Sequence, residues 1–400
     1  MAAPYGIQRT RLALITWGHF LNDCYISFFA PVLPLLIAKL SLSLTVASGL
    51  ASIPSITASV FQPLYGMLSD RIRGRFFILA GPLLSVLGMG LIGIAPNAEV
   101  LGALLLCAGI GAAAFHPQAV ATAGAVSGQR KGLGISIFIF GGNVGFAVGP
   151  LAIIAAVQLW GLDHSYYIVI PGLLSILCLT LVLRVPTGSI ERKHLSSLTT
   201  AFAGARRPIA LLFSIAVIRE FTRLSVVTFL PVFLTMQGRS LVMGGVTLSL
   251  FSLAGALGGM VGGWLSDTWG RKTIILASAL ACVPLLYGVF HSSGWLSLVL
   301  LVLAAATLMG ANSVTIAFAQ ELVPARASTA SSLVMGLGWG VAGVLLIGFG
   351  RLADLISVPR ALSIVAAVPL LAAACALALP RRATSQGAVA TPAPETAAQA

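Results

Sequence analysis

Gly263-Trp264-Leu265-Ser266-Asp267-Thr268 repeats, 197 residues later, the pattern of Gly66-Met67-Leu68-Ser69-Asp70-Arg71, and the fold turns on reading one as a copy of the other. Each stretch is a short polar break between apolar runs of roughly 20 residues, the length that crosses a hydrocarbon core of about 30 Å. A second match points the same way: Pro31-Val32 follows Asp23, and Pro231-Val232 follows Arg223, 200 residues further on. Two matches in near register imply a duplicated unit.

The composition says what surrounds that unit. Apolar residues make up 58% of the 400-residue chain and charged residues 8%, against about 25% charged in a soluble domain. Mean hydropathy is +1.02. So few charges cannot cover a water-facing surface; the solvent is lipid. The net charge of +13 would suit nucleic acid if it lay on one domain, but the basic residues fall in short clusters between apolar runs, as in positive-inside loops. No nucleic-acid partner is expected. Cys24, Cys107, Cys178, Cys282 and Cys375 all lie inside apolar runs without metal-type spacing, and read as packing residues. The first apolar run begins near Leu12, exceeds a signal-peptide core in length and carries Asp23, so it reads as the first span.

Breaks at charges, glycine and proline give twelve expected spans: 12–38, 46–68, 76–95, 99–126, 131–159, 165–184, 208–236, 242–266, 272–291, 295–322, 327–352 and 358–379. Helices are expected, because the runs lack the alternation of a membrane barrel. With the N-terminus inside, one side collects Arg9, Arg11, Arg71, Arg73, Arg75, Arg130, Lys131, Arg184, Arg192, Lys193, Arg206, Arg207, Arg271, Lys272, Arg326, Arg381 and Arg382. The other side receives Lys39, Arg239, Arg351 and Arg360. Both termini are therefore expected in the cytoplasm. The expected domains are a six-helix bundle over 1–184, a cytoplasmic linker over 185–207, a second six-helix bundle over 208–382 and a disordered tail over 383–400.

A charge inside a span costs about 2.5–3.5 kcal/mol on insertion scales, so such residues are informative. They gather on the first helix of each triplet: His19 and Asp23 on span 1, His116 on span 4, Arg219, Glu220 and Arg223 on span 7, and Glu321 near the end of span 10. Spans 1, 4, 7 and 10 are expected to line an aqueous cavity, and spans 3, 6, 9 and 12 to face lipid. His19 and Asp23 share a helix face, as do Arg219 and Arg223. An acidic face on one half would then meet a basic face on the other. Blander readings stand beside these: Asp23 pairing with Arg219 or Arg223 to hold the halves together, His116 satisfied by a backbone carbonyl at the Pro117 kink, Glu220 neutralising its arginine neighbours, and Glu321 as a terminus charge. Asn22, Gln62 and Asn143 read either as lining the path or as bonding between helices. Gly145 and Gly149-Pro150 give span 5 a close-packing face, and span 11 has Gly336, Gly338, Gly340 and Gly343 at the matching place. Both glycine faces are expected at the boundary where the halves rock.

The loop Gly263, Leu265, Asp267, Gly270, Arg271, Lys272 resembles the signature of the major facilitator superfamily, and its first copy differs by one extra residue, Asp70-Arg71-Ile72-Arg73-Gly74-Arg75. Within it the chain is similar to the fosmidomycin-resistance branch in Gly18-His19-Phe20-Leu21-Asn22-Asp23, Gln62-Pro63, Phe115-His116-Pro117, Gly142-Asn143, Thr228-Phe229-Leu230-Pro231 and Gln320-Glu321-Leu322-Val323-Pro324. Gly149-Pro150 is similar to the span-5 motif of proton-coupled drug antiporters. The resemblance implies alternating access about a site near the bilayer midplane, with Asp70, Arg71, Arg75, Asp267, Arg271 and Lys272 as gating residues. No phosphate-binding loop is present, so the expected energy source is a proton gradient and no cofactor or resident metal is expected.

The expected function is a proton-coupled antiporter exporting a small drug-like or anionic compound. Asp23 is the expected proton carrier, with His19 and His116 as alternative carriers; Arg219 and Arg223, with Glu220, Asn22, Gln62 and Asn143, are expected to bind the substrate. Asp23 is expected to hold its proton while an anion occupies the basic face of span 7. A symporter importing an organic anion is the first alternative, and an intramembrane metal enzyme built on His19, Asp23 and His116 a remote one. The molecule is expected to be a monomer in a bacterial cytoplasmic membrane.

Overall fold

Long apolar segments in lipid must satisfy their own backbone hydrogen bonds, and helices do this within one segment. The computed structural model describes residues 7–69, 75–184 and 204–380, and every regular element among them is helical. Eleven stretches are long and apolar enough to cross a membrane: span 1, Arg9–Leu40; span 2, Leu44–Leu68; span 3, Phe76–Ile94; span 4, Ala98–Val126; span 5, Lys131–Trp160; span 6, Ser165–Val182; span 8, Leu241–Trp269; span 9, Arg271–His291; span 10, Gly294–Leu322; span 11, Thr329–Ile356; and span 12, Val358–Leu377. Span 7, Arg206–Met236, is a 31-residue helix whose polarity comes from Arg219, Glu220 and Arg223 near its middle. All twelve expected segments coincide with these helices. The expected linker and tail, apart from residues 204–207, lie outside the described residues, as do Asp70 and Arg71.

Several spans are broken, for local reasons. Span 1 is two helices, Arg9–Ile26 and Phe29–Leu40. Pro31 has no N–H for the carbonyl four residues back, which is that of Ser27 at the break. Span 12 breaks at Val368, just before Pro369. Span 7 runs through Pro231 as one helix, so the Pro31/Pro231 repeat does not extend to the break. Span 11 contains a π-helical turn at Leu333–Leu337, around Gly336.

Spans 3, 6, 9 and 12 pack within their own six-helix half and leave large apolar side chains such as Leu174, Leu181, Leu280 and Leu371 exposed. The halves meet along two seams, span 2 on span 11 and span 5 on span 8, with the second helix of span 1 against span 7. Small residues set the first seam. A Cβ on Gly340 would stand 2.5 Å from the Ser59 hydroxyl, and one on Gly350 would stand 2.5 Å from the Leu44 carbonyl oxygen. Hydroxyls then bond to backbone across the seam: Ser52 Oγ donates to Gly343 O at 2.6 Å, and Ser59 Oγ to Gly336 O at 2.7 Å. The glycine face of span 5 is a correction. Gly145 and Gly149 pack against span 1 of the same half, at Phe20, Cys24 and Ser27, and the close approach to span 8 is made instead by Gly245 over Pro150 and Ile154.

The duplication extends to side chains. Arg75 Nη1 donates to the carbonyls of Thr180 and Leu183, the latter at 2.6 Å, at the end of span 6. Lys272 Nζ donates to the carbonyls of Leu377 at 2.6 Å and Leu379 at 2.7 Å, at the end of span 12. Arg75 and Lys272 are 197 residues apart, as are Thr180 and Leu377. The two loop copies are thus equal in length through Phe77-Ile78-Leu79-Ala80 and Ile274-Ile275-Leu276-Ala277. The extra residue expected in the first copy is a one-place shift of its glycine, and Arg75 takes the place of Lys272.

Gly350→Val should overpack the first seam and destabilise the protein by about 1–3 kcal/mol, lowering the thermal midpoint in detergent. Gly348→Val, two residues away, should leave that midpoint nearly unchanged, because a Cβ there would meet nothing within 4 Å.

Candidate functional site

The polar residues of the first half converge on Asp23. His19 Nε2 lies 3.1 Å from one carboxylate oxygen and His116 Nε2 lies 3.6 Å from the other. Each ring is fixed from behind: His19 Nδ1 bonds to Phe138 O at 2.8 Å, and His116 Nδ1 to Ala112 O at 2.7 Å. A carbonyl only accepts, so both Nδ1 atoms carry hydrogen and both Nε2 atoms are left for the carboxylate. Asn22 Nδ2 donates to Asp23 at 2.9 Å, and Ser85 Oγ donates to Asn22 Oδ1 at 2.8 Å. The His19 ring stacks on Phe138 with centroids 4.1 Å apart. Gly142 of span 5 closes the cluster, since a Cβ there would stand 2.5 Å from His19 Nε2 and 2.6 Å from Asp23 Oδ2.

Access to this cluster is unequal. His19 and Asp23 are buried, whereas the side chain of His116 is 28% exposed. His116 answers to both readings of it, with a backbone carbonyl on one ring nitrogen and the carboxylate on the other. The same three residues bring ligand atoms within 4.8 Å of one another, a set of nitrogen and oxygen donors that suits a cation as small as a proton or a transition metal. Of the two readings of Asn22, the structure fits bonding between helices: the residue is fully buried, joins Ser85 of span 3 and orients Asp23.

Span 7 carries the second constellation, arranged differently from the expected basic face. Arg223 grips Glu220 in a fork, Nε at 2.9 and 3.0 Å from the two oxygens and Nη2 at 2.5 Å from the first. Glu220 is buried and the Arg223 side chain is 26% exposed. Arg219 reaches another way, into its own half, where Nη1 donates to Thr315 Oγ1 of span 10 at 3.1 Å. Among the described residues neither arginine pairs with Asp23, so the reading in which that pair holds the halves together is corrected: Asp23 is satisfied by histidines within its own half. Gln62 and Asn143 are half-buried, Gln62 lying where span 2 passes Gly336 of span 11.

The second loop copy forms a compact ionic group. Arg271 pairs with Asp267 at 2.7 Å and with Glu321 at 2.9 Å, and its Nη1 donates to Ser266 Oγ at 2.5 Å. Glu321 is therefore more than a terminus charge; it ties span 10 to the head of span 9. Two residues have no counterpart among the expected sites. Gln118 Oε1 accepts from the backbone N–H groups of Phe77 at 3.0 Å and Ile78 at 3.2 Å, capping span 3. Asp354, at the end of span 11, accepts from the N–H groups of Leu44 and Thr45, both at 2.9 Å, and from the Thr45 hydroxyl at 2.5 Å. It caps span 2 from the opposite half, at the end of the molecule away from Asp267. A lone Asp near the end of an apolar helix gives no signal of this; only the juxtaposition of spans 2 and 11 does.

Among the described residues, twelve long helices in two related sets of six, meeting along two seams, with buried polar clusters on spans 1, 4 and 7, form the scaffold of a membrane transporter. The chain belongs to the Major Facilitator Superfamily, whose family model matches residues 15–347. It is 30% identical over 373 residues to the fosmidomycin resistance protein of Escherichia coli (strain K12), covering 90% of each chain. It is 28% identical over 304 residues to the multidrug resistance protein MdtG of Serratia proteamaculans (strain 568), covering 71% of this chain and 72% of that one. Among solved structures it resembles a bacterial homolog to the human lysosomal transporter Spinster, in an inward-facing and occupied conformation. That likeness has a TM-score of 0.81 at 17% identity and covers 94% of this chain and 97% of that one. The protein is a transporter and not an enzyme.

Removing the Asp354 cap should weaken the contact between the halves at that end by about 1 kcal/mol, a factor of roughly five in the open population. With the five native cysteines replaced, a Ser48→Cys probe beneath the cap should be labelled by a soluble maleimide several-fold faster when Asp354→Ala is added. Equal labelling rates would show that the cap does not hold the seam.

Proposed function

We propose that the protein is a proton-coupled antiporter that exports a small anionic or drug-like compound, with the first half handling the proton and the second half the substrate. The observation that carries this reading is the Asp23 cluster: two imidazole nitrogens turned on one buried carboxylate, with a single half-exposed member, His116, as its contact with the interior path. A proton enters at His116, is shared with Asp23 and is held by His19 on the far side. Imidazole and carboxylate are suited to this exchange because both change charge with one proton.

On the other half, Arg223 is the accessible cation, and Glu220 is the internal anion that occupies it. A phosphonate or carboxylate competes with Glu220 for the same guanidinium fork. This arrangement replaces the expected direct exchange between Asp23 and the span-7 arginines. Exchange requires proton and substrate to occupy the carrier alternately, because simultaneous occupancy moves both in one direction. The coupling therefore runs through the rocking of the two halves, and each ligand has to favour a different arrangement of them.

The similarity to a fosmidomycin resistance protein and a multidrug resistance protein supports export and a drug-like substrate. In this reading the rocking units are residues 1–184 and 208–382, joined by 185–207, and the protein works as a monomer in the cytoplasmic membrane with both termini inside, as the asymmetry of Lys and Arg supports.

Proteoliposomes loaded with a pH dye test the proposal, with fosmidomycin and a panel of organic anions as probes. Substrate-driven proton flux opposite to substrate flux is expected, with at least a tenfold loss in Asp23→Asn. His116→Ala should slow the flux and Arg223→Gln should weaken substrate dependence. Parallel fluxes would make the protein a symporter, and full coupling in Asp23→Asn would remove the cluster from the mechanism.

A further inference from the structure

Arg219 is a buried cation that the transport cycle above does not use. It sits in the middle of span 7 and is 4% exposed. The three charges of this region do not cancel locally. Both oxygens of Glu220 are taken by Arg223, which leaves one positive charge at Arg219 without an ion-pair partner among the described residues. Its Nη1 rests on the neutral Thr315 hydroxyl, whose own hydrogen is directed at the carbonyls of Ala311 and Asn312. Its Nε has no hydrogen-bond acceptor among the described residues.

Arg219 lines a small cavity between spans 7, 9, 10 and 12, with Ile215, Ser278, Ala279, Leu308 and Pro369 among its walls. This cavity lies inside the second half, away from the seams, and has room for about one water-sized particle. We propose that it is a binding site for a single small monovalent inorganic anion, of the halide class, held by Arg219 with Ser278 as the neighbouring hydroxyl.

Three features select that ligand. A lone buried cation in a low-dielectric interior requires a counter-charge, and one negative charge restores neutrality where two would invert it. The space excludes an organic phosphonate or carboxylate, so this site is distinct from the Arg223 position. Its walls are mostly apolar, which suits a weakly hydrated anion more than a strongly hydrated one. Water fits the same space and supplies an acceptor for Nε, but leaves the charge uncompensated. The anion's role is to set the electrostatic background of span 7, keeping Arg223 and Glu220 paired with each other.

The test uses the purified full-length protein in detergent, titrated from sodium gluconate into sodium chloride or sodium bromide at constant ionic strength. The thermal midpoint is expected to rise by several degrees and to saturate, as for a ligand that binds only the folded state. Ala279→Leu fills the cavity while the arginine is kept and should abolish the halide dependence; Arg219→Gln removes the cation and should do the same. Crystals grown in bromide should show anomalous density beside Arg219. Identical wild-type midpoints in gluconate and chloride would overturn the proposal in favour of water. Halide dependence persisting in Ala279→Leu would overturn it by placing the ion elsewhere. If a variant fails to fold, wild-type crystals grown in bromide decide the location: anomalous density beside Arg219 supports the proposal, and bromide bound only elsewhere overturns it.

Discussion

A carboxylate buried in the middle of a membrane helix has to be matched by something, and the match made for Asp23 organises the first half of this transporter. His19 comes from one turn away, His116 from span 4, Asn22 from the neighbouring position, and Gly142 of span 5 makes room for His19 and Asp23. The contacts with His116 and Gly142 tie span 1 to spans 4 and 5. The cost of ionisable groups in hydrocarbon thus favours this packing, because separating spans 1 and 4 strips the carboxylate of His116.

The second half handles its charges by another route. Glu220 and Arg223 neutralise each other along one helix, and Arg219 turns away into the packing between spans 7, 9 and 10. The duplicated scaffold is therefore chemically asymmetric: an acid held by two imidazole rings on one side, and a cation held by an internal acid on the other. The scaffold's symmetry survives in the loops, where Arg75 and Lys272 make the same helix-end contacts. Both seams bring glycines close to the facing helix, and at the span 2–span 11 seam serine hydroxyls bond to backbone across it. Surfaces of this kind slide and separate at modest cost, since few side chains interlock.

The span pattern was legible because period and length are local properties: each apolar run is long enough to cross, and the charges mark the helices that do not face lipid. The cluster of His19 and Asp23 was legible from their four-residue spacing, and His116 from its rarity inside a span. Spacing failed for Arg219 and Arg223. Four residues apart on a helix places two side chains on a common face, but long guanidinium arms diverge according to the partners within reach, here Thr315 for one and Glu220 for the other. The glycines of span 5 misled for a related reason: a small-residue stripe reports a close helix contact without naming the helix, and span 1 takes it. Asp354 and Gln118 left no trace in the sequence, since a side chain that caps a distant helix is defined only by tertiary placement.

Proton handling in the first half and substrate handling in the second are linked in the proposed cycle by mutual exclusion. The most direct measurement is the number of protons exchanged when the purified, detergent-solubilised protein binds fosmidomycin in weakly buffered solution containing a pH indicator. Mutual exclusion predicts release of about one proton per bound substrate from the wild type, and none from Asp23→Asn. Proton uptake on binding, or equal release from the variant, would contradict it.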